Sequence, residues 1–135
     1  MPVTILDLSL LKITYQVSNN EDWNDSFAIA DDDGNYITMN GVLFHSMVRS
    51  TPLGVRQFIT VSSEETVNGQ PVDGRFTIDG ENDSVLNVYV AETVMRKVPP
   101  GTYVIDIIGT KDGLTKRVAE GTIVVDPGIT RRNSA

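Results

Sequence analysis

The 135-residue chain has no cysteine, one histidine and one tryptophan, and aromatic residues make up only 7% of it. Without cysteine there is no disulfide framework and no thiolate metal site. Cations are also scarce: 11 Lys and Arg face 18 Asp and Glu, a formal net charge of −7. An acidic surface repels a phosphate backbone, so nucleic acid is not an expected partner. No run of residues approaches the roughly 20 apolar positions needed to cross a bilayer as a helix, and membrane association is not expected. Met1 to Leu11 is interrupted by Asp7 and lacks the basic start of a secretory leader, which points to synthesis in a cytoplasm.

What is present reads as β-structure. The length fits one domain with one core, and 40% of the residues are apolar. Short β-rich runs alternate with turn residues along nearly the whole chain. Val3–Val17 alternates imperfectly, with Ile5, Leu11, Ile13 and Tyr15 on one parity and Leu6, Leu8 and Leu10 on the other. The switch near Leu10-Leu11 suggests a bulge or a bend. Trp23–Ala30, Gly41–Ser50 and Val55–Ser63 read as further strands. In Arg75–Val90 an Asp-Gly turn separates two strands, the second of which reads as buried on both faces. Ala91–Val98 is the one plausible helix, ended by Pro99-Pro100. The expectation is an all-β protein, an antiparallel β-sandwich with one short helix near 91–98. Its parts are an N-terminal strand or arm at 1–17, the sandwich at 18–127 and a basic tail at 128–135.

The closing hairpin, Gly101–Thr130, raises a question of register. Asp112-Gly113 is a strong turn signal. A two-residue turn there would place Ile107 opposite Val118 and Ile105 opposite Glu120, setting a carboxylate against a core side chain. A bulged or longer loop at the turn is therefore favoured.

Candidate chemical sites each have a plainer reading. Asp31-Asp32-Asp33-Gly34 clusters carboxylates as a calcium loop does, but no Glu follows to complete the ligand set, so a solvated turn fits better. His45 and Ser46 are adjacent on a strand and point to opposite faces, so they cannot form a nucleophilic relay together; a half-buried, hydrogen-bonded histidine is expected. Trp23 with Tyr36 is the sole hint of an aromatic platform for a glycan. No phosphate-binding glycine loop, zinc helix or nucleophile elbow occurs. An enzyme is not expected, nor a cofactor or metal.

Two stretches carry a family resemblance. Trp23–Pro52 has an aromatic-acidic start, a strand, a DG turn and a strand ending in Val48-Arg49. The second stretch is more specific, with Gly74, Arg75, Pro99, Gly101, Tyr103, Asp106, Glu120, Gly121, Gly128, Thr130 and Arg131 at matching positions. From Trp23 to Arg132 the chain resembles small structural proteins of tailed bacteriophages. These are similar in turn to the N-terminal immunoglobulin-like domain of upper baseplate proteins of lactococcal phages. The resemblance implies an immunoglobulin-like sandwich and a non-enzymatic tail, baseplate or fibre-adaptor module of a virion, assembled in the host cytoplasm. Other virion proteins would be its partners, in a homo-oligomer or a large symmetric assembly. A carbohydrate- or cell-surface-binding module is the alternative. Expected contact residues are Leu8, Leu10 and Leu11 in the N-terminal segment and Ile129, Arg131 and Arg132 in the tail. On this reading residues 1–17 could be removed without unfolding the sandwich.

Overall fold

The computed structural model describes Ile5, Leu8 and residues 10–30, 33–50 and 57–130. Ten strands occur among them: β1 (Leu11–Ser18), β2 (Trp23–Ala28), β3 (Leu43–Arg49), β4 (Gln57–Ser62), β5 (Thr66–Val67), β6 (Gln70–Pro71), β7 (Gly74–Asp79), β8 (Val85–Val90), β9 (Gly101–Lys111) and β10 (Leu114–Asp126). The chain is mostly β, as its alternation predicts. The expected helix is a single turn, α1 (Glu92–Met95). Its first backbone N–H donates to Asp22 Oδ1 at 2.7 Å, and Met95 and Val98 enter the core beside it.

Eight strands form one sheet in the order β1-β10-β9-β3-β4-β7-β8-β2; β5 and β6 make a separate small hairpin. The sheet curls until it is nearly closed and barrel-like. Its two ends, β1 and β2, meet where Tyr15 packs edge-on against Trp23 with ring centroids 5.1 Å apart. Most pairs are antiparallel, but β1 runs parallel to β10 and β4 runs parallel to β7. The purely antiparallel arrangement expected from the turn signals is thus corrected at two seams. Neither pair is joined by a tight hairpin, the connection that would have forced an antiparallel direction.

The core lies inside the curl. Phe44, Val48, Ile59, Val61, Leu86, Val90 and Ile123 are at most 1% exposed. Strand β8 does not bury both faces: Leu86, Val88 and Val90 point inward while Tyr89 points out. The apolar run misled because Val85 and Tyr89 sit on the outward parity and are only partly covered.

The hairpin question is also resolved. The turn is a tight two-residue one, with Lys111 paired to Leu114 and both Asp112 and Gly113 at positive φ. This is the backbone form that suits the twist of a hairpin. The register slip comes higher up, between Arg117 and Ala119, and puts Ala119 opposite Ile107 and Gly121 opposite Ile105. The extra residue, Val118, is buried together with Ala119. Glu120 consequently faces Asp106 on the outer surface and leaves the core apolar. A slip by one residue was needed, as the carboxylate argument required, but a bulge within β10 supplies it rather than the turn.

The N-terminal segment belongs to the body of the fold. All of β1 pairs with β10, Ile5 and Val17 are buried, and Leu8, Leu11, Ile13 and Tyr15 pack against the core. Its described aliphatic residues are therefore buried or half-buried. Removing 1–17 would open a core and bare the β10 edge, so the expectation that the sandwich survives this truncation is revised.

Candidate functional site

A concave outer surface of the sheet, a groove of about 940 Å³, lies on the five strands β1, β10, β9, β3 and β4. Strand alternation makes it. Ile105 and Ile107 turn into the core, which leaves Val104, Asp106 and Ile108 outward on β9; on β3, Phe44, Ser46 and Val48 turn in and His45, Met47 and Arg49 turn out. The hairpin of β5 and β6 stands beside this floor as a wall, contributing Thr66, Val67 and the turn residue Asn68.

Charge is arranged in pairs. Glu120 lies between Lys12 and Arg117; Arg117 Nη1 is 3.1 Å from Glu120 Oε2, and the Lys12 ammonium donates to the other carboxylate oxygen. The hydrogen bond from Lys12 is the main reason the Glu120 carboxyl titrates below its usual range; Arg117 adds to it, and partial desolvation opposes it. Asp106, opposite Glu120 across the ladder, has no ion-pair partner among the described residues.

His45 is half-buried and hydrogen-bonded, as expected. Its partner is not Ser46, whose hydroxyl donates to the Asp106 carbonyl at 2.6 Å on the core side. The partner is Ser62, directly across the ladder on β4, with Oγ 2.7 Å from His45 Nδ1. Ser62 Oγ also accepts the backbone N–H of Glu64 at 3.0 Å, and Glu64 Oε2 lies 3.9 Å from His45 Nε2. Serine, histidine and a carboxylate thus sit together, a set that adjacent positions in the sequence do not reveal. A nucleophile needs room for a reacting atom near its oxygen, and Ser62 is 0% exposed. The cluster is a polar clasp fixing the root of the hairpin wall to the sheet.

The remaining candidates disperse. Trp23 is 2% exposed and its indole N–H donates to Asp25 at 2.9 Å, so it offers no ring face to a sugar. Tyr36 is exposed without that companion. Asp31 and Asp32 lie outside the described residues; Asp33 and Gly34 are exposed. No group of three metal-binding side chains occurs among the described residues. Of the expected contact residues, Leu8, Leu10 and Leu11 are half-buried and Ile129 is 98% exposed. Arg131 and Arg132 lie outside the described residues. No described helix is long and apolar enough to span a membrane. Compared with known proteins, the chain matches no protein-family model and no curated protein.

Proposed function

We propose that the protein is a non-enzymatic assembly module of a tailed-phage virion, an immunoglobulin-like β-sandwich that works through protein–protein contacts. One observation carries the reading. Several residues of the phage-protein pattern make the close contacts that hold this fold together. Gly121 lets β1 come so near that a methyl group at its Cα would stand 1.7 Å from the Ile13 carbonyl oxygen. A methyl on Gly74 would meet Val90 at 2.5 Å and the Tyr89 carbonyl at 2.6 Å. Arg75 Nη2 donates to the Ser63 carbonyl at 3.0 Å, the Gly128 N–H donates to Asn19 Oδ1 at 3.0 Å, and the Thr130 carbonyl accepts from Asn20 at 2.7 Å. Framework contacts of this kind are what a shared fold with a scaffolding role requires.

Two features support the immunoglobulin-like form. In such sandwiches one layer carries strands B, E and D and the other C, F and G, and a tyrosine near the start of strand F bonds back to the preceding backbone. Here β2, β8 and β7 adjoin in the first order, and β3, β9 and β10 in the second. Tyr103, at the start of β9, donates its hydroxyl proton to the carbonyl of Pro99.

Peptide mass spectrometry of density-purified phage particles from the strain that encodes the chain tests the proposal. The chain is expected at stoichiometric levels beside the other virion proteins. Its absence from intact particles, with abundant protein left in the lysate, would overturn the reading.

A further inference from the structure

We infer that the groove takes an extended segment of a neighbouring protein, one that carries a Lys or Arg side chain with an apolar residue two positions before it and another two positions after. This deepens the assembly role, on which the partner's being a protein rests. The walls set the direction of the segment. The hairpin of β5 and β6 bounds the groove on the β4 side, and Lys12 and Arg117 bound it on the β1–β10 side. The channel between them runs along β9 and β3. Both of these strands are paired on either side, so they have no free backbone edge to offer a partner strand. Recognition has to come from the outward side chains.

The floor supplies them at a strand's own spacing. Val104, Asp106 and Ile108 lie outward along β9 at alternate positions, about 6.8 Å apart. An extended segment lying along β9 turns its own alternate side chains down at the same interval. Two apolar side chains then meet Val104 and Ile108, and the one between them stands over Asp106. Across the ladder Asp106 has Met47 on one side and Glu120 on the other. The groove volume of about 940 Å³ lies at the upper end of the ~300–1,000 Å³ range of ligand pockets, room for a segment rather than for one amine.

Charge selects the middle side chain. The lining is balanced, with Lys12, Arg49 and Arg117 against Glu64, Asp106 and Glu120. Within that balance Lys12 and Arg117 both serve Glu120, Arg49 donates to Met47 Sδ at 3.3 Å, and Glu64 lies 3.9 Å from His45. The Asp106 carbonyl accepts from Ser46, but its carboxylate has no hydrogen-bond or ion-pair partner among the described residues. It also stands directly opposite Glu120, and like charges so placed in an antiparallel pair are destabilising. A cation from the partner relieves that contact. Met47, Val104 and Ile108 surround the meeting point with apolar atoms, where an ion pair is stronger than in open water. The chain's −7 draws a basic segment in from a distance.

Selection of random short peptides, displayed on yeast, against the purified full chain tests this. The enriched peptides are expected to carry Lys or Arg with apolar residues two before and two after. Fluorescence polarisation of one such labelled peptide then reads the contact. Asp106→Asn should raise its dissociation constant about tenfold, while the denaturant midpoint of the free protein stays level or rises because the contact with Glu120 is relieved. Replacing the peptide's cation by methionine should weaken binding by a similar factor, and the two changes together should cost little more than either alone. Higher salt should weaken binding. Leu114→Gln, exposed but outside the groove, should change nothing. Enrichment of acidic peptides or of no cationic pattern, a coupling between Asp106 and the peptide cation below about twofold, or a midpoint lowered by Asp106→Asn overturns the inference. So does a free lysine amide that competes as well as the peptide, since the occupant is then only an amine. A failed selection beside a chain present in purified virions would sink the groove partner and leave the assembly role standing.

Discussion

The nearly closed sheet has two parallel seams, and they are built in opposite ways. Between β1 and β10 eight residues pair, from Leu11 with Ala119 to Ser18 with Asp126. Between β4 and β7 only two pairs form, Val61 with Gly74 and Ser62 with Arg75. The long seam is held chiefly by its backbone ladder, with exposed side-chain bonds from Lys12 to Glu120 and from Gln16 to Asp126 added, and it demands space, met by Gly121. The short seam is spliced by side chains. Asp73 accepts the Thr60 N–H at 2.8 Å, its own N–H donates to the Thr60 carbonyl at 2.9 Å, and Arg75 holds Ser63. Where few backbone groups can pair, individual polar side chains take over the joining, so the two seams should fail to different kinds of mutation.

The largest effect is expected from deleting residues 1–17, which removes most of the long seam together with Ile5 and Val17 from the core. The truncated chain should show no cooperative thermal transition by circular dichroism. A sharp transition near that of the full chain would mean that the short seam and the remaining strands suffice. Next comes Gly121→Val. Its Cβ cannot coexist with the Ile13 carbonyl, so β1 must shift or detach, at a cost of about 3 kcal/mol or more, read as a lowered denaturant midpoint. A loss under about 1 kcal/mol would show that the long seam tolerates displacement.

Asp73→Ala probes the short seam by removing one hydrogen bond and none of the ladder. About 1 kcal/mol should be lost, and exchange of the Thr60 amide should speed up while amides of β1 stay protected. Equal deprotection at both seams would dissolve the distinction between them. The smallest effect concerns Glu120, which Lys12 holds ionised below the ordinary value of 4.5. A depressed carboxyl contributes stability above its unfolded pKa and loses it as pH falls through the folded one. The pair should therefore be intact at neutral pH and give way only below about 4.5. Lys12→Met should flatten the acid limb of a urea-midpoint profile while leaving the neutral plateau nearly unchanged.

Much of the fold was legible in the sequence because alternation and turn chemistry are local. The inward sets on β3 and β9 follow from period two, and the Asp112-Gly113 turn from the backbone freedom of glycine. The bulge at Val118 was legible only as a need: Glu120 could not face Ile105, but nothing local says where the extra residue goes. The groove was hidden because it joins residues from five strands, and the His45–Ser62 bond spans 17 positions. The N-terminal segment shows the same limit. Its aliphatic surplus was visible, whereas its destination depended on β10, more than 100 residues away.

By itself, then, the sequence determined the β class, the parity of most strands and the place of the closing turn, since each of these is decided by neighbours along the chain. Only the tertiary structure decided which strands adjoin, that β1 is part of the core, and that three cations and three carboxylates share one concave face. Pairing between distant strands is set by global burial, and no local pattern encodes it.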